Sequence, residues 1–391
     1  MTDVGPMRLY CTARGAVVPF EPGPIVTMYT CGITPYDSTH FGHAAVYLTY
    51  DVLQRRLRDR GHETRCVRNI TDVDDDLLRK ARELDIHYLD LAAREIARFD
   101  ADLEALGLLP VWSEPRATSA IADIRGFIGM VLDRGHAYVA GGAVYFDVGT
   151  WDRFGEISHY DRDEMLRLAA ERGGNVDDPN KRDPLDFVLW QPSAADEPSW
   201  ESLWGPGRPG WHIECSALAL RELDTTIDLH GGGSDLIFPH HECESAQSEA
   251  ATGEPFVRHW MHQAMVRMDG EKMSKSLGNL VFVSELRKEW DPRAIRLAAV
   301  VHHYRTPWEW NDDLMPAAAR RLEAWLAAGD GDSALAEVRA ALDDDLDTPA
   351  AVAAIDAAAA QGHGVRDAAA LLGVDLLEDE RMGEEAKAQS A

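Results

Sequence analysis

The sequence lacks any apolar run that approaches the roughly 18 residues of a membrane-spanning helix. Its first residues, MTDVGPMRLY, lack the basic and apolar regions of a secretory signal. We also find no internal repeat at periods of roughly 20 to 50 residues, so a repeat array is not expected. These absences exclude a helical membrane protein and predict a cytoplasmic location.

Cysteines and basic residues are both scarce. The cysteines are odd in number and widely spaced, which favours reduced thiols or metal ligands over a disulfide framework; they are Cys11, Cys31, Cys66, Cys215 and Cys243. The 39 Lys and Arg residues face 67 Asp and Glu residues, and the resulting net charge of −28 repels a phosphate backbone. Nucleic acid is therefore a disfavoured partner.

What is present is an ordinary globular composition that opens with a strand, a loop and a helix. The 391 residues are 45% hydrophobic and long enough for two or three domains. Residues 25–30 form a β-rich run, and apolar residues recur at helical spacing over 42–59. Gly61 then stops the helix and 64–70 is the next strand. This βαβ unit predicts a parallel nucleotide-binding sheet, whose ligands lie at the carboxyl ends of the strands.

The remaining chain reads as an insertion, a second half of the sheet and a helical end. Patterning predicts helices over 77–106 and 118–133 and strands over 143–148, 226–230 and 260–265. Between 161 and 211 the Pro, Gly and Trp content favours ordered loops over regular structure. We predict a catalytic domain over 1–280 with an inserted connective region at about 116–205, a stem-contact-like segment over 281–313, a small helical domain over 314–377 and a disordered tail over 378–391.

Two histidines lie where the first helix begins, in the stretch Cys31 to His43. Unpaired N–H groups at a helix start favour an anion, and His40 with His43 would let nucleotide phosphates approach across Gly42. By itself this spacing is as typical of a zinc pair or a solvated helix start.

Two lysines in Lys272-Met273-Ser274-Lys275-Ser276 follow a turn at Asp269-Gly270-Glu271. Lysines on a mobile loop can neutralise pyrophosphate as it leaves, which stabilises a transition state electrostatically. In isolation, a solvated charged loop is the simpler interpretation of Lys272 and Lys275.

A metal site is suggested by Cys31, Cys215 and His240, with His241 and Glu244 close in sequence to the last of these. Thiolates with an imidazole are a zinc set. No pair has the compact spacing of a zinc finger, so on local evidence alone buried thiols and structural or solvated histidines are the default interpretation.

Taken together, the His-x-Gly-His and Lys-Met-Ser-Lys-Ser segments resemble the signature pair of the class I aminoacyl-tRNA synthetases. Further segments resemble the cysteine-specific branch of that class over roughly residues 8–377, namely Cys31-Gly32-Ile33-Thr34, Arg68-Asn69-Ile70-Thr71-Asp72, Gly210-Trp211-His212-Ile213-Glu214-Cys215, His230-Gly231-Gly232-Gly233-Ser234-Asp235 and Phe238-Pro239-His240-His241-Glu242. The resemblance implies an α/β fold, a class I synthetase-like Rossmann core with an inserted connective region and a C-terminal helical domain.

The resemblance also implies site residues. Zn²⁺, one per chain, would be held by Cys31, Cys215 and His240, and Glu244 matches a fourth ligand typical of the tRNA enzymes. Mg²⁺ would accompany ATP. His40, His43, Lys272 and Lys275 would stabilise the reacting phosphates. The positions expected to bind the cysteine and the adenylate are Cys31, Gly32, Ile33, Thr34, Val46, Asn69, Ile70, Thr71, Trp211, Gly233, Ser234, Asp235 and Val266.

Two kinds of enzyme share this core, and both condense cysteine with ATP to a cysteinyl-adenylate and pyrophosphate. One is cysteine–tRNA ligase, and the other is the mycothiol-biosynthesis ligase that joins cysteine to the amine of glucosaminyl-inositol. Cys31-Gly32-Ile33-Thr34-Pro35-Tyr36-Asp37 and Glu171-Arg172-Gly173-Gly174 are similar to the second kind. The short end of the chain favours it too, because residues 314–391 hold 16 acidic and only 6 basic residues.

The predicted partners are therefore ATP, L-cysteine and glucosaminyl-inositol, acting on a monomer without tRNA or membrane. Two alternatives stay open: a tRNA ligase, and a non-catalytic zinc- or nucleotide-binding relative that uses the fold for sensing.

Overall fold

The structure, a computed structural model, describes residues 5–36, 39–268, 270–273 and 278–377, without the side chains of residues 271 and 272. The strands are β1 (Met7–Cys11), β2 (Ala16–Phe20), β3 (Ile25–Ile33), β4 (Glu63–Ile70), β5 (Ala137–Ala140), β6 (Ala143–Phe146), β7 (Phe187–Gln191), β8 (Arg208–Pro209), β9 (Leu229–Gly233), β10 (Trp260–Gln263), β11 (Val266–Met268), β12 (Glu271–Lys272) and β13 (Trp308–Glu309). The helices are α1 (Phe41–Asp59), α2 (Asp75–Glu83), α3 (Tyr88–Ala105), α4 (Ile121–Asp133), α5 (Arg162–Glu171), α6 (Trp211–Leu223), α7 (Glu242–Thr252), α8 (Val283–Leu286), α9 (Pro292–Val300), α10 (Leu314–Ala328), α11 (Leu335–Asp343), α12 (Thr348–Ala360) and α13 (Arg366–Leu371).

A parallel sheet with the strand order β10-β9-β3-β4 lies at the centre of the fold. The predicted βαβ unit is confirmed: β3 pairs in parallel with β4 from Ile25 opposite Glu63 onward, and α1 connects them. The helix buries Phe41, Ala44 and Leu48 against the sheet, and Gly61 follows it with a φ of 94° that other residues rarely adopt. The carboxyl ends of β3, β4 and β9 therefore meet at one edge.

Strand β9 spans Leu229–Gly233, so it ends three residues later than the predicted strand over 226–230. The three glycines after His230 pair with β10, with Gly231 opposite Met261 and Gly233 opposite Gln263. A Cβ on Gly231 would lie 2.1 Å from the Tyr50 hydroxyl oxygen. The three glycines are needed because a side chain on Gly231 would meet Tyr50, one on Gly232 would meet Leu236 and one on Gly233 would meet Asp235.

The prediction of a single helix over 77–106 is wrong, since α2 and α3 are separate. Between them Asp85 has a φ of 52°, and the His87 side chain accepts the Leu89 N–H to start α3. Alanines and charged residues continue through the break, so composition does not mark it.

The insertion is more regular than its composition suggests. Residues 161–211, predicted as ordered loops, contain α5, β7 and β8. The strands complete an antiparallel sheet with the order β5-β6-β7-β8. Phe187, Leu189 and Trp190 of β7 are buried in a core shared with α4 and α6, and this apolar packing outweighs the Pro and Gly content around it.

The C-terminal helices share one core with α1 and β3. Trp325, Leu342, Val352 and Ile355 belong to the same apolar cluster as residues of the parallel sheet. Arg296 of α9 is fully buried there, and its guanidinium donates to Asp51 of α1 and to the carbonyl oxygens of Leu106 and Leu372. Over the described residues, no helix has the length and apolarity needed to cross a bilayer. The predicted disordered tail, 378–391, lies outside the described residues.

Candidate active site

The carboxyl edge of the parallel sheet brings together the predicted residues of β3 and β4. The Gly32 N–H donates to Asn69 Oδ1 at 2.8 Å, and Asn69 Nδ2 donates to Thr71 Oγ1 at 3.0 Å. A Cβ on Gly32 would lie 1.5 Å from the Asn69 carbonyl oxygen, so only glycine fits. Ile33 ends β3, and its carbonyl oxygen accepts the Thr71 N–H at 2.9 Å. Thr34 and Ile70 lie next to this contact, which we call the crossing of β3 and β4.

Four buried side chains form a cluster that could hold a metal ion. The donor atoms of Cys31, Cys215, His240 and Glu244 all lie within 4.8 Å of one another. They come from the end of β3, the first turn of α6, the irregular helical turn Ile237–His241 and the first turn of α7. Two thiols with an imidazole suit Zn²⁺, and the carboxylate can either complete the coordination or hold His240.

The four donors carry pKa shifts of opposite direction. Burial, together with Cys215 and Glu244, raises the pKa of the Cys31 thiol well above its usual value. The hydrogen bond from Cys31 lowers the pKa of the Cys215 thiol to about 6. Burial alone would lower the pKa of His240, but Glu244 beside it raises that pKa to about 10. Burial would raise the pKa of Glu244, yet His230 and His240 lower it to about 2. A dense set of opposite charges is thus already built in, and a cation is the group that would replace the protons.

A second layer of buried histidines surrounds this cluster, and sequence reasoning missed it. His240 Nδ1 lies 2.8 Å from His212 Nδ1, and His230 Nε2 lies 3.0 Å from Glu244 Oε2. His241 Nε2 lies 3.3 Å from Cys31 Sγ, and its Nδ1 lies 2.7 Å from His262 Nε2. Burial lowers the pKa of His262 to about 3, which keeps it neutral. The available signal was the presence of His230 and His262 within the apolar strands β9 and β10.

A second four-residue group, Cys31 with His230, His241 and Glu244, is also close enough to ligate an ion. It has one thiol instead of two. The set with Cys215 and His240 is therefore the better match to zinc chemistry.

The start of α1 brings the predicted phosphate-binding histidines together. The rings of His40 and His43 stack with centroids 3.7 Å apart, and His40 Nδ1 accepts the His43 N–H at 3.4 Å. A Cβ on Gly42 would meet the His40 ring at 2.9 Å. Val46 lies one turn further along, where a Cβ on Gly233 would come within 3.9 Å of its Cγ2 atom. The helix start thus borders the end of β9.

The predicted lysines are described only in part. The backbone of Lys272 lies in β12, which pairs with β11 opposite Arg267, and Val266 opens β11. The side chain of Lys272 and all of Lys275 lie outside the described residues.

Trp211 lies beside the candidate metal cluster, and Asp235 lies in the turn that follows β9. The Trp211 ring centroid is 4.2 Å from that of His240, so this half-buried aromatic covers the cluster instead of filling a remote core. Gly233 and Ser234 lead from β9 into the short helical turn Ser234–Leu236, which carries Asp235.

The insertion is fastened to the segment that carries Asp235 and His240. The Arg172 guanidinium donates to the carbonyl oxygens of Asp235 and Phe238. Glu242 accepts the N–H groups of Gly155 at 2.8 Å and Ser158 at 2.9 Å. The Gly210 N–H donates to the Leu189 carbonyl at 3.0 Å, which sets the start of α6 against the insertion sheet. The Glu171-Arg172-Gly173-Gly174 motif signalled Arg172, but not its contacts.

Glu214, also in the first turn of α6, is 1% exposed. Its pKa is raised well above the usual range by burial and by the nearby charges of Asp74, Cys215 and Asp72, with Thr71 acting in the opposite direction. Neither of its carboxylate oxygens has a hydrogen-bond partner among the described residues. Sequence reasoning gave Glu214 no role.

Residues 17–320 match the family model described as tRNA synthetases class I (C) catalytic domain. An L-cysteine:1D-myo-inositol 2-amino-2-deoxy-alpha-D-glucopyranoside ligase from Nocardiopsis dassonvillei is 51% identical over 360 residues, covering 90% of this chain and 88% of the relative. A protein of the same name from Thermobispora bispora is 51% identical over 386 residues, covering 95% of this chain and 96% of the relative.

Solved structures agree on the fold. Methionyl-tRNA synthetase of Mycobacterium tuberculosis in complex with methionyl-adenylate matches with a TM-score of 0.64 at 16% identity, covering 90% of this chain and 88% of that chain. The prediction of a class I synthetase-like α/β fold is therefore confirmed.

Proposed function

Since the chain belongs to the family of class I (C) tRNA synthetase catalytic domains, we propose that it is an ATP-dependent ligase of mycothiol biosynthesis. It activates L-cysteine as cysteinyl-adenylate and transfers the cysteinyl group to the amine of 1D-myo-inositol 2-amino-2-deoxy-alpha-D-glucopyranoside. The observation that carries cysteine activation is the buried cluster of Cys31, Cys215, His240 and Glu244. The stacked His40 and His43 open α1, the helix that follows the strand of Cys31 in the chain. The acceptor rests on the ligases that are about half identical to this chain over most of its length.

The metal proposed for the cluster is Zn²⁺, held by Cys31, Cys215 and His240. The donor chemistry fits, because both thiols and the imidazole are buried and mutually close. Bound there, zinc would supply a Lewis acid that accepts a thiolate more readily than an alcohol. Glu244, which contacts His240 Nε2 at 3.0 Å, is proposed as a further ligand or as the group that orients His240.

In the first step a carboxylate oxygen of cysteine attacks the α-phosphorus of ATP. A carboxyl oxygen–phosphorus bond forms, the bond to the β-phosphate oxygen breaks, and pyrophosphate leaves with that electron pair. The attacking carboxylate is already ionised, so no general base is required. His40 and His43 are proposed to hold the phosphates, and Lys272 with Lys275 to neutralise the developing charge. Mg²⁺ bound with ATP would offset the triphosphate charge.

Positioning in this step is assigned to the carboxyl edge of the sheet. Gly32, Ile33, Thr34, Asn69, Ile70 and Thr71 line the crossing of β3 and β4. Val46, Gly233, Ser234, Asp235 and Val266 are proposed on the nucleotide side, and Trp211 is proposed to cover the cysteine from the first turn of α6.

In the second step the neutral amine of the acceptor attacks the carbonyl carbon of the adenylate. The amide bond forms, AMP leaves, and the ammonium proton passes to a base. Asp235 and the adenylate's own phosphate are both candidates for that base. The expectations of a monomer and of a cytoplasmic location stay predictions, as does the proposed division into domains.

A cysteine–tRNA ligase is the second candidate function, and Glu244 within the donor cluster favours it because the tRNA enzymes typically carry a ligand at this position. The experiment supplies the protein with ATP, cysteine and either the amino sugar or tRNA. We expect amide product and no charged tRNA. Charged tRNA without amide product would overturn the acceptor. Absence of cysteine-dependent exchange of pyrophosphate into ATP would overturn both ligase proposals and favour the non-catalytic alternative.

A further inference from the structure

Glu214 is a buried acidic side chain whose carboxyl group is left unsatisfied by the described residues. It is 1% exposed, and neither oxygen has a hydrogen-bond partner among the described residues. A carboxylate taken out of water without hydrogen bonds or a counter-charge costs several kcal/mol. Such a side chain is retained where a ligand supplies the missing partner.

The other buried carboxylates around the cluster are already occupied. Glu244 contacts His230 and His240 at 3.0 Å each. Asp72 accepts the Thr118 N–H at 2.8 Å and its hydroxyl at 2.6 Å. Glu242 is held by backbone N–H groups of the insertion. Over the part of the chain that the structure describes, Glu214 is the one buried carboxylate with both oxygens open.

The location of Glu214 indicates the chemistry of its partner. It immediately precedes Cys215 in the first turn of α6, so its carboxylate is anchored beside the proposed metal ligand. The thiol and the α-ammonium group of cysteine are three bonds apart, and a substrate whose sulfur approaches Cys215 brings a cation within reach of the neighbouring side chain. An ammonium is a strong donor to a carboxylate in a low-dielectric site.

We propose that Glu214 binds the α-ammonium group of the substrate cysteine, an inference that rests on the proposed function. The amino acid is then held at two ends: its sulfur is directed to Cys31, Cys215 and His240, and its ammonium to Glu214. The carboxylate of the substrate is left free to face the α-phosphate. Thr71, beside Glu214, and Asn69, whose amide donates to Thr71, line the path between these ends.

The test compares cysteine with 3-mercaptopropionate, which keeps the thiol and the carboxylate but lacks the ammonium group. The Michaelis constant for cysteine and the inhibition constant for 3-mercaptopropionate are measured in cysteine-dependent pyrophosphate exchange. In Glu214→Gln we expect the first constant to rise about ten- to hundredfold, the loss of one charged hydrogen bond in a buried site. The second constant should change by less than about threefold, because that compound never engages Glu214.

The matched control is Glu222→Gln, which removes a carboxylate from the last turn of the same helix, where it pairs with Arg221. It should leave both constants unchanged. Glu214→Asp keeps the charge and should restore part of the affinity for cysteine alone. If Glu214→Gln gives no measurable exchange, calorimetric titration measures the dissociation constants of both compounds for that variant. The loss of affinity for cysteine is then compared with the loss for 3-mercaptopropionate, with the same expected difference.

Three results would overturn the inference. Equal weakening of both compounds would make Glu214 a structural residue. If cysteine binding is unchanged and the Michaelis constant for the acceptor rises, Glu214 binds the acceptor's amine instead. If neither Michaelis constant changes, Glu214 has no ligand role. Wild-type protein without cysteine-dependent exchange would instead overturn the proposed function, so the two failures are distinguishable.

Discussion

At the scale of single residues, the site depends on side chains that are far apart in sequence and buried together. The donor atoms of Cys31, Cys215, His240 and Glu244 all lie within 4.8 Å of one another, although the residues span more than 200 positions of the chain. The set is specific because other buried thiols lie outside it. Cys66, for example, lies in β4 and contacts Thr30 Oγ1 at 3.9 Å.

Replacing Cys215 by alanine should abolish metal binding and cysteine activation together. The variant removes one soft ligand from a set in which the remaining donors are too few to hold zinc tightly. We expect the zinc content to fall from about one ion per chain to below about a tenth of that. Elemental analysis of the purified protein and pyrophosphate exchange measure the two effects.

Cys66→Ala is the control for this prediction. It also deletes a buried thiol next to the parallel sheet, so a general loss of packing should affect both variants alike. Stoichiometric zinc in Cys215→Ala would remove Cys215 from the site.

At the scale of elements, the structure joins the insertion to the segment that carries Asp235 and His240 through a few polar contacts. Arg172 follows α5 and crosses to two carbonyl oxygens on either side of the turn that leads to His240. Gly174 then packs closely, since a Cβ there would lie 2.8 Å from the Ala169 carbonyl oxygen. The insertion therefore positions ligands that it does not itself contain.

Arg172→Ala should weaken zinc and cysteine binding and leave ATP binding intact. Each carbonyl loses a charged donor, and hydrogen bonds of this type are worth about 1.5–3 kcal/mol. We expect the Michaelis constant for cysteine to rise about tenfold or more, with that for ATP unchanged. Arg172→Lys should recover part of the affinity, because a single guanidinium nitrogen donates to both carbonyls and an ammonium also carries several N–H donors.

Arg167→Ala serves as the matched control on α5. Arg167 is exposed and pairs only with Glu164 and Glu171 of its own helix, so its removal should change neither constant. A parallel rise in both Michaelis constants for Arg172→Ala would point to a global loss of structure instead.

Helix α2 supplies a pH-dependent contribution at the edge of the site. Asp74 caps this helix by accepting the Asp76 N–H at 2.8 Å, and burial raises the pKa of Asp74 to about 6. The unfolded chain, with an Asp pKa of about 3.9, loses this proton first. Stability therefore falls as the pH rises from about 4 to about 6 and stays level above that.

Asp74→Asn should reduce this pH-dependent fall, because asparagine keeps the cap and cannot ionise. Two pKa units correspond to about 2.7 kcal/mol, and partial exposure of Asp74 reduces the expected difference to about 1 kcal/mol. Urea unfolding at pH 4.5 and pH 7 measures it. Asp161→Asn, at the cap of α5, is the exposed control, and an equal effect there would refute the assignment to Asp74.

At the scale of the whole molecule, a buried ion pair joins α9 to α1, and the same arginine donates to the carbonyl of Leu372 after the last helix, within one apolar cluster. Arg296 and Asp51 are 0% and 2% exposed, and Asp51 also accepts the Leu109 N–H at 2.7 Å and pairs with Arg55. The arginine contacts three separate regions of the chain. The C-terminal part is thus integral to the same core and not an independent attachment.

Arg296→Met should lower the free energy of unfolding by about 3–5 kcal/mol, the cost of removing one partner of a buried pair. The carbonyl oxygens of Leu106 and Leu372 also lose their donor. Denaturant unfolding followed by tryptophan fluorescence measures the loss. Arg321→Ala breaks the more exposed pair with Asp356 and should cost less than about 1 kcal/mol. Equal losses would contradict the central role of Arg296.

The sequence by itself determined the local elements and the donor chemistry. The apolar spacing over 42–59 predicted α1 within one residue, and Cys31, Cys215 and His240 could be selected as zinc donors once the resemblance was seen. Helical spacing is a local property of the sequence, and the donor chemistry of a side chain is given by its residue type. Both can therefore be recognised without the tertiary structure. The resemblance also supplied the adenylate-binding positions, which stay a prediction.

The tertiary structure decided everything that depends on which segments meet. The predicted strand ended at His230, and only the tertiary structure shows that it continues through glycines whose side-chain space is occupied by Tyr50, Leu236 and Asp235. The second layer of His212, His230 and His262, the crossing of Arg172 to the His240 turn, and the open carboxylate of Glu214 all arise from contacts between distant parts of the chain. Burial and pairing are properties of neighbours in space, and no local pattern encodes them.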